Sequence, residues 1–403
     1  LNEVVSIGTR SSGRVKLETP VPIDVVNVSK AAVTSGRSDL TDILNYAAPS
    51  FNYNKQSGSD GADHVELGTL RGLGPDQTLV LINGKRRHST AFVAVFGTRG
   101  RGNSGVDLSS IPMAAIDHVE ILRDGASAQY GSDAIAGVIN LVLKKNVNDF
   151  AINAGFSNYY DPKFNSKFSV AKAEYPHAGT FDGNAFTIDM NYGVALGKHD
   201  GFINFSADYG TSGKTFRQTH DTAYANQQAL PYNTVRRANG DGSAQNAEVP
   251  LAATRTTFYS FGGFSFKNSN DYAFTRNFSA QTIRFPRDAS GNFIPTPGII
   301  FTSPTDSYFN PIIQTHNTDI ALALGLKGVI GKNTDWDLSN NLGNNTFNFY
   351  GDQTFNPSLG NRKTNFFDGG PQFLQNTTNL NLSKHYDFLS GFNVGAGAEY
   401  RYE

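Results

Sequence analysis

The side chains with the most binding chemistry lie in two segments rich in Gly and Ser, Phe51 to His64 and His88 to Asp107. Aromatic rings offer stacking surfaces and cations attract anions, so these segments suit an anionic or sugar-like ligand. The alternative for any single residue is ordinary solvation of a loop. The candidate ligand-binding residues are Tyr53, His88, Phe92, Phe96, Arg99 and Arg101.

Other chemical signals in the sequence fail on their context. Residues 100–105, GRGNSG, fit the G-x-G-x-x-G pattern of dinucleotide sites, but no helix is predicted after them. The eight histidines show no metal-ligand spacing, and the chain has no cysteine. Lys85 to His88 follow an Asn-Gly turn and are interpreted as a solvated hairpin end. We therefore expect no enzyme activity, no metal ion and no cofactor.

Composition favours extended structure. The 403 residues suggest two units or one large one, and the net charge of -1 gives no basic field for nucleic acid. Only 17% of residues are charged, whereas Gly (41), Phe (30) and Tyr (17) are abundant. No stretch reaches the roughly 18 apolar residues of a membrane helix, so the chain is either soluble or spans a membrane as strands. No signal peptide begins the sequence, and Leu1 is interpreted as a mature or trimmed start.

Residues 1 to about 148 indicate a small α+β domain. Ser38 is predicted to cap a helix that carries an apolar face and ends before Pro49. Asn83-Gly84 predicts a tight turn. The predicted strands are Val65 to Leu70, Thr78 to Ile82, Asp117 to Leu122 and Gly137 to Leu143.

After Asn148 the pattern changes to long strands with alternating apolar and polar residues. In residues 184–197, Phe186, Met190 and Val194 share one face, while Asp189 and Asn191 share the other. Residues 392–402 repeat this pattern. Apolar outside and polar inside with period two is typical of a transmembrane barrel, and a soluble β-sandwich or propeller is the alternative.

Four segments predict short turns at one end of these strands: 198–202, 267–272, 332–336 and 384–388. Each begins with Lys and reaches an Asp before an aromatic residue. Longer polar segments near 212–255, 286–318 and 351–372 are predicted at the other end. About nine strands result: one near 149–159 and then four hairpins. The aromatic residues expected at one level, as an interfacial girdle, are Phe202, Tyr272, Trp336 and Phe388.

Three blocks resemble the TonB-dependent receptor family of bacterial outer membranes. Residues 70–87, LRGLGPDQTLVLINGKRR, resemble the first plug signature, and residues 111–145 resemble the longer second one. Residues 3–10, EVVSIGTR, resemble the stretch that holds or adjoins the TonB box. The resemblance covers residues 1–145, and beyond them only the strand pattern supports it.

The resemblance implies an α+β plug inside an antiparallel transmembrane β-barrel of 22 strands. The expected units are a TonB-box-like segment (1–12), a plug (13–148) and the N-terminal part of the barrel (149–403). About nine strands would leave an open edge in lipid, so further strands are expected beyond this chain or from a second chain.

The resemblance also implies roles for particular residues. An extended segment would pair with TonB through main-chain hydrogen bonds, and a frayed terminus is the alternative. Arg71 and Arg123 would anchor the plug to carboxylates on the barrel wall. These carboxylates are expected on the further strands that this chain does not contain. Glu120 would brace either arginine or lie on the wet side of its strand. The TonB-facing residues are Glu3, Val4, Val5, Ser6 and Ile7.

The expected function is active uptake of a scarce nutrient across the outer membrane, driven by the inner-membrane proton gradient through TonB. Siderophore, oligosaccharide, vitamin, peptide and metal chelate all remain open as substrates. The expected partners are TonB, outer-membrane lipid, the nutrient and, in some complexes, a surface lipoprotein. A passive porin-like channel and a soluble β-rich binding module or secreted enzyme are the alternatives. The short turns are expected on the periplasmic side and the long segments outside.

Overall fold

The structure is a computed structural model. It describes residues 7, 22–53, 55, 60–95, 100–160, 181–197, 200–215, 236–251, 254–302, 307–386 and 392–403, with only the backbone for 236–244 and 280. Glu3 to Ser6, Phe96, Arg99 and Phe388 lie outside the described residues.

The first part of the chain folds as an α+β plug domain. A five-stranded sheet has the order β1-β6-β7-β4-β5, with β4 and β7 parallel and the other neighbours antiparallel. The plug elements are β1 (Ile23–Asn27), α1 (Val28–Ser35), α2 (Leu40–Ala47), β2 (Phe51–Asn52), β3 (Thr69–Leu70), β4 (Thr78–Ile82), β5 (Lys85–Arg86), β6 (Ile116–Leu122), α3 (Ser127–Tyr130) and β7 (Gly137–Leu143).

The plug sheet is buried on both faces, which explains the continuous apolar runs of β4 and β7. On one face, Ile43 and Leu44 of α2 pack with residues of β6 and β7. On the other, Ile7 packs against Leu79 and Leu81. The predicted strands at 78–82, 117–122 and 137–143 are therefore confirmed.

Two local predictions in the plug are wrong. Asp39, not Ser38, caps α2, because its carboxylate accepts a hydrogen bond from the Thr41 N–H at 3.0 Å. The strand expected over 65–70 shrinks to β3, since a 3-10 turn at Ala62–His64 and a single bridge at Leu67 precede it.

The rest of the chain forms one large antiparallel sheet around the plug. Nine long strands follow one another in the order β8-β9-β10-β11-β12-β16-β17-β19-β20 in the described part, and β18 pairs with β17. The bounds are β8 (Phe150–Tyr160), β9 (Phe181–Leu196), β10 (Gly201–Ser212), β11 (Arg236–Pro250), β12 (Thr256–Tyr272), β13 (Arg276–Asn277), α4 (Phe278–Gln281), β14 (Phe301–Thr302), β15 (Ser307–Phe309), β16 (Ile312–Ile330), β17 (Thr334–Asp352), β18 (Phe366–Gly369), β19 (Gln372–Tyr386) and β20 (Phe392–Tyr402).

Side chains alternate across this sheet as predicted. Met190 and Tyr192 are exposed on the outward face, whereas Asp189 and Asn191 are buried on the inward face. Some inward polar residues hydrogen-bond to the plug: the Asn204 amide donates to the Asn146 carbonyl at 3.1 Å, and the Asn246 amide donates to the Lys144 carbonyl at 2.9 Å. Within the described residues, no helix is long and apolar enough to cross a membrane.

The predicted count of nine strands is confirmed, but one hairpin was misplaced. The segment 267–272 is no turn; it is the last part of β12. The segment 212–255 contains β11 and a short connection at 251–255, and β13 and α4 occupy the region expected to form a strand after 272. We call the end of the barrel with the short connections the turn end, and the opposite end the loop end. Ser269 therefore lies at the loop end.

The predicted aromatic girdle is also corrected. Phe202 points inward and is buried, with the Lys145 ammonium 5.9 Å from the centre of its ring. Tyr272 ends β12 at the loop end. Trp336 faces outward near the turn end, where it pairs with the exposed Leu382.

Candidate functional site: the seam between plug and barrel

The hairpin between β4 and β5 carries basic side chains to the barrel wall. Asn83 and Gly84 adopt φ of 49° and 77°, the left-handed pair that a two-residue hairpin turn requires. The Lys85 ammonium donates to the Asp337 carboxylate at 2.6 Å, and the Tyr259 hydroxyl donates to the same carboxylate at 2.8 Å. A plug cation and two strands of the barrel thus meet at one carboxylate.

The next two residues of the hairpin, Arg87 and His88, contact a more deeply buried part of the barrel wall. Arg87 donates to one oxygen of Asp319, while His88 Nε2 lies 2.9 Å from the other oxygen. The Asn345 amide also donates to that second oxygen at 2.9 Å. Burial and the neighbouring Arg87 lower the pKa of His88, although Asp319 opposes this. One buried carboxylate therefore holds both plug side chains.

A glycine on β17 makes this contact possible. A Cβ atom added at Gly343 would lie 2.0 Å from Nδ1 of His88. No side chain fits between that strand and the imidazole, so the plug approaches the backbone of the wall directly.

A second buried pair runs in the opposite sense, from barrel cation to plug anion. The Lys267 ammonium of β12 donates to Asp107 at 2.9 Å and to the Ser109 hydroxyl at 2.6 Å. The other oxygen of Asp107 accepts from the backbone N–H groups of Glu66 and Ser109, which fixes the plug loop around it. We call the contacts of Arg87, His88, Asp107, Lys267 and Asp319 the loop-half seam.

Further ion pairs lie closer to the turn end. Lys145, after β7, donates to Glu248 at 2.6 Å, and Lys327 of the wall donates to the same oxygen at 3.0 Å. Arg86 pairs with Asp133, and Arg401 of β20 reaches the same carboxylate at 3.2 Å. These contacts, with Lys85 and Asp337, form the turn-half seam. Four of these residues, Lys85, Arg86, Lys327 and Asp337, line a cavity of about 1030 Å³ between plug and wall.

Comparison with known proteins agrees with this architecture. Residues 15–138 match the family model for the TonB-dependent Receptor Plug Domain. The chain therefore contains the plug domain of the TonB-dependent receptor family, and its overall fold resembles that family. Its outward apolar strands accordingly lie in the outer membrane, as they do in this family.

Named relatives match over part of the chain. The chain is 34% identical over 113 residues to the probable TonB-dependent siderophore receptor PirA of Acinetobacter baumannii, covering 28% of this chain and 15% of that protein. It is 42% identical over 76 residues to the ferrienterobactin receptor of Escherichia coli K12, covering 19% and 10% of the two chains.

One solved structure shares the fold over nearly the whole chain. The ferric enterobactin receptor of Pseudomonas aeruginosa superposes with a TM-score of 0.53 at 15% identity, covering 99% of this chain and 59% of that one. The present chain therefore spans about three-fifths of that receptor's length.

The structure corrects the interpretation of Lys85 to His88 as a solvated hairpin end. Arg87 and His88 are buried and contact Asp319 of β16, Lys85 contacts Asp337 of β17, and Arg86 pairs with Asp133 of the plug. The sequence held one usable signal for their partners. Asp319 and Asp337 occupy inward positions of alternating strands, where a charge must be balanced from inside the barrel.

In the described residues, the two predicted anchors, Arg71 and Arg123, contact other residues of the plug. Arg71 donates to the Ala136 carbonyl at 3.1 Å and lies 3.7 Å from Asp124. Arg123 lies 3.3 Å from Asp24. Their proposed pairing with the barrel wall stays a prediction, because it concerns strands expected outside this chain.

Glu120 is buried inside the plug. It accepts from the Asn140 amide at 2.9 Å, and its other oxygen lies 3.6 Å from His118. Hydrogen bonds from His118 to Asp117 and Glu120 raise the pKa of the imidazole to about 9. Glu120 thus braces His118 rather than either arginine in this arrangement.

The predicted ligand-binding residues occupy different environments. His88 is held by Asp319, and Phe92 is buried against Phe347 and Phe349 of the wall. Tyr53 packs partly on the plug core, whereas Arg101 is exposed. In this closed arrangement His88 and Phe92 contact the barrel, so Arg101 is the described candidate that is open to an external ligand.

A polar cavity that sequence reasoning missed opens at the loop end. It has a volume of about 570 Å³ and lies where β9, β10, β12 and β16 end. Its polar lining residues include Asp182, Asn184, Thr211, Lys214, Asn270 and Gln314.

Proposed function

We propose that this chain is the plug and part of the barrel of a transporter that takes a scarce nutrient across the outer membrane with energy supplied through TonB. One observation carries the proposal: the plug is fastened to the inner wall by buried ion pairs of both polarities. Breaking such pairs in a dry site is expensive, so the closed plug does not open by thermal motion alone. Work must be delivered to it.

The position of Ile7 supports delivery of that work through the N-terminus. Ile7 is fully buried and packs with Leu79, Leu81 and Val138 of the plug sheet. A pull on the residues before it would act on the central strands β4 and β7. Strand pairing with TonB would supply the grip, because main-chain hydrogen bonds need only an extended partner.

The nutrient would enter from the loop end. Arg101 and the polar cavity of about 570 Å³ offer charged and hydrogen-bonding groups there. Ferric siderophores are the first ligands to test, because the named relatives include siderophore and ferrienterobactin receptors. The similarity to them covers at most 28% of this chain, so oligosaccharides, vitamins, peptides and metal chelates belong in the same panel.

Two measurements on the full-length receptor separate this proposal from a passive channel. In planar bilayers the closed plug should give no steady conductance, whereas a porin-like channel conducts at once. In cells, uptake of a radiolabelled ligand from the panel should stop when TonB is deleted or the proton gradient is collapsed. Steady conductance together with uptake that survives both treatments would identify a passive channel.

The N-terminal grip is tested by Val5→Pro. Proline removes a backbone donor and fixes φ, which breaks strand addition. We expect energised uptake to be lost while ligand binding to whole cells stays near the wild-type level. Val5→Thr keeps an extended, β-branched residue and is the matched control. Wild-type uptake in Val5→Pro would remove this segment from the mechanism.

A further inference from the structure

Three side chains that can bind a metal ion lie together between plug and barrel. They are separate from the ion pairs of the seam. Asp63 and His64 lie on the 3-10 turn Ala62–His64 of the plug, and Asp271 is the penultimate residue of β12. His64 Nε2 lies 3.2 Å from an oxygen of Asp271 and 4.0 Å from an oxygen of Asp63. One ligand atom from each residue lies within 4.8 Å of the others. All three side chains are fully buried.

The imidazole is held in the orientation that a metal ligand needs. His64 Nδ1 lies 2.8 Å from the hydroxyl of Thr315, a buried residue of β16. This contact directs Nε2 toward the two carboxylates. Histidine ligands in metal sites are oriented in this way through their second ring nitrogen.

The cluster also contains polar atoms that the described protein groups leave unsatisfied. Among the described residues, Asp271 has the carboxyl group of Asp63 beside it but accepts no hydrogen bond from an N–H or hydroxyl donor, and the 3.2 Å contact of His64 Nε2 with Asp271 lacks hydrogen-bond geometry. A buried carboxylate without donors is strongly unfavourable. Two cations lie near the cluster: Lys214, whose ammonium is 4.0 Å from the centre of the Tyr272 ring, and Lys267, which donates to Asp107.

We propose that Asp63, His64 and Asp271 bind a divalent transition-metal cation, and that this ion ties the plug to the barrel wall. Ligand atoms that each lie about 2.0–2.2 Å from Zn²⁺ are at most about 4.4 Å apart, which the separations of 3.2 Å and 4.0 Å satisfy. One imidazole with two carboxylates suits Zn²⁺ or a similar first-row ion, whereas Ca²⁺ and Mg²⁺ prefer oxygen ligands alone. Two carboxylates also balance the charge of such an ion.

The proposed ion has a mechanical consequence. Two of its ligands belong to the plug and one to the barrel, so the ion is a cross-link between them. The plug loop at residues 60–64 cannot leave β12 until the ion is released. This site is independent of the transported nutrient and of the proposed energy source.

The direct test is metal binding to the full-length receptor, purified in detergent without a polyhistidine tag and stripped with a chelator. Equilibration with Zn²⁺ should leave one tightly held ion per receptor, measured by elemental mass spectrometry. Co²⁺ in its place should give the visible absorption bands of a low-coordinate site. Asp271→Asn and His64→Gln should each abolish the bands and the tight stoichiometric ion.

Control variants separate this site from other groups. Asp335→Asn removes an exposed carboxylate of the same wall, and His118→Gln removes a partly exposed imidazole beside two carboxylates. Both should retain one tight ion. Thr315→Val keeps all three ligands but loses the orienting contact, and should weaken affinity about 10–100-fold.

The cross-link is tested by calorimetry of the same proteins. Zn²⁺ should raise the unfolding temperature of the wild-type plug and leave that of Asp271→Asn unchanged. Absence of a tight ion in the wild type, or its retention in both ligand variants, would overturn the site. A bound ion that does not shift the wild-type unfolding temperature would overturn the cross-link.

Discussion

The two halves of the seam use the same residue types in different surroundings. In the loop-half seam, Arg87 and Asp319 are each 6% exposed, and Lys267 and Asp107 are 8% and 1% exposed. In the turn-half seam the carboxylates of Glu248, Asp337 and Asp133 are 22%, 26% and 33% exposed. Lys145 is 52% exposed, whereas Lys85 and Arg86 are 11% and 8% exposed. Water therefore screens the second set more than the first. The plug is therefore expected to be held firmly near the loop end and loosely near the turn end.

Loss of Asp319 should have the largest effect. Asp319→Asn leaves Arg87 buried without its counter-ion, which costs about 3–5 kcal/mol when one partner of a buried pair is removed. Plug unfolding by calorimetry and leakage of large antibiotics into cells would measure this loss. Asp335→Asn, an exposed carboxylate of the same wall, is the control and should change stability by less than about 0.5 kcal/mol. Equal melting of the two variants would contradict a dry loop-half seam.

Closing the gap at Gly343 should have the next largest effect. Gly343→Ala places a methyl group where the His88 imidazole lies, so either the ring or the strand must move. Overpacking of this kind costs about 1–3 kcal/mol. Gly210→Ala is the matched control, because its nearest neighbour would be 3.6 Å away. If calorimetry shows the same plug stability for both variants, the hairpin does not press on the wall.

Raising the pH should have a smaller effect on stability, through deprotonation of His118 inside the plug. Asp117 and Glu120 raise the pKa of His118 to about 9, above the ordinary value of 6.5. The protonated imidazole thus stabilises the folded plug fully below pH 6.5, and this contribution is lost as the pH rises through 9. We expect plug stability to fall between pH 7 and 10 by about 1 kcal/mol or less after solvent screening. His118→Gln should lack that part of the pH dependence; an unchanged profile would assign it to other groups.

Removal of exposed cations should have the smallest effect. Lys145→Ala and Arg71→Ala each break a contact that solvent screens, so stability should change by about 0–1 kcal/mol. The same calorimetric assay measures both. A loss of about 3 kcal/mol or more in Arg71→Ala would reveal a buried partner for this arginine beyond the strands of this chain.

Local chemistry made the plug predictable. The strands β4 and β7 follow from continuous apolar runs, and the left-handed turn at Asn83-Gly84 follows from residue types that tolerate positive φ. The seam was not predictable in this way. Lys85 to His88 look solvated beside their neighbours in sequence, and the carboxylate partners of Lys85, Arg87 and His88 lie more than 200 residues later.

The barrel shows where a polarity pattern misleads. The residues at 267–272 look like a turn because they are polar, yet they continue β12. The inward ones, Lys267, Ser269 and Asp271, face the plug and are buried. β11 lacks apolar alternation, and its backbone is placed by pairing with β10 and β12 on either side. A strand whose position is set by pairing with its neighbours need not show an alternating apolar pattern in its own sequence.

The spacing of the seam along the chain also sets an order of events during biogenesis. Lys85 and Asp337 are 252 residues apart, and Arg87 and Asp319 are 232 apart. Contacts between such distant positions close large loops and form late in folding. The plug emerges first and must keep its basic hairpin hydrated until β16 and β17 exist. When the plug docks, those cations lose their bound water and form ion pairs with the carboxylates of the wall.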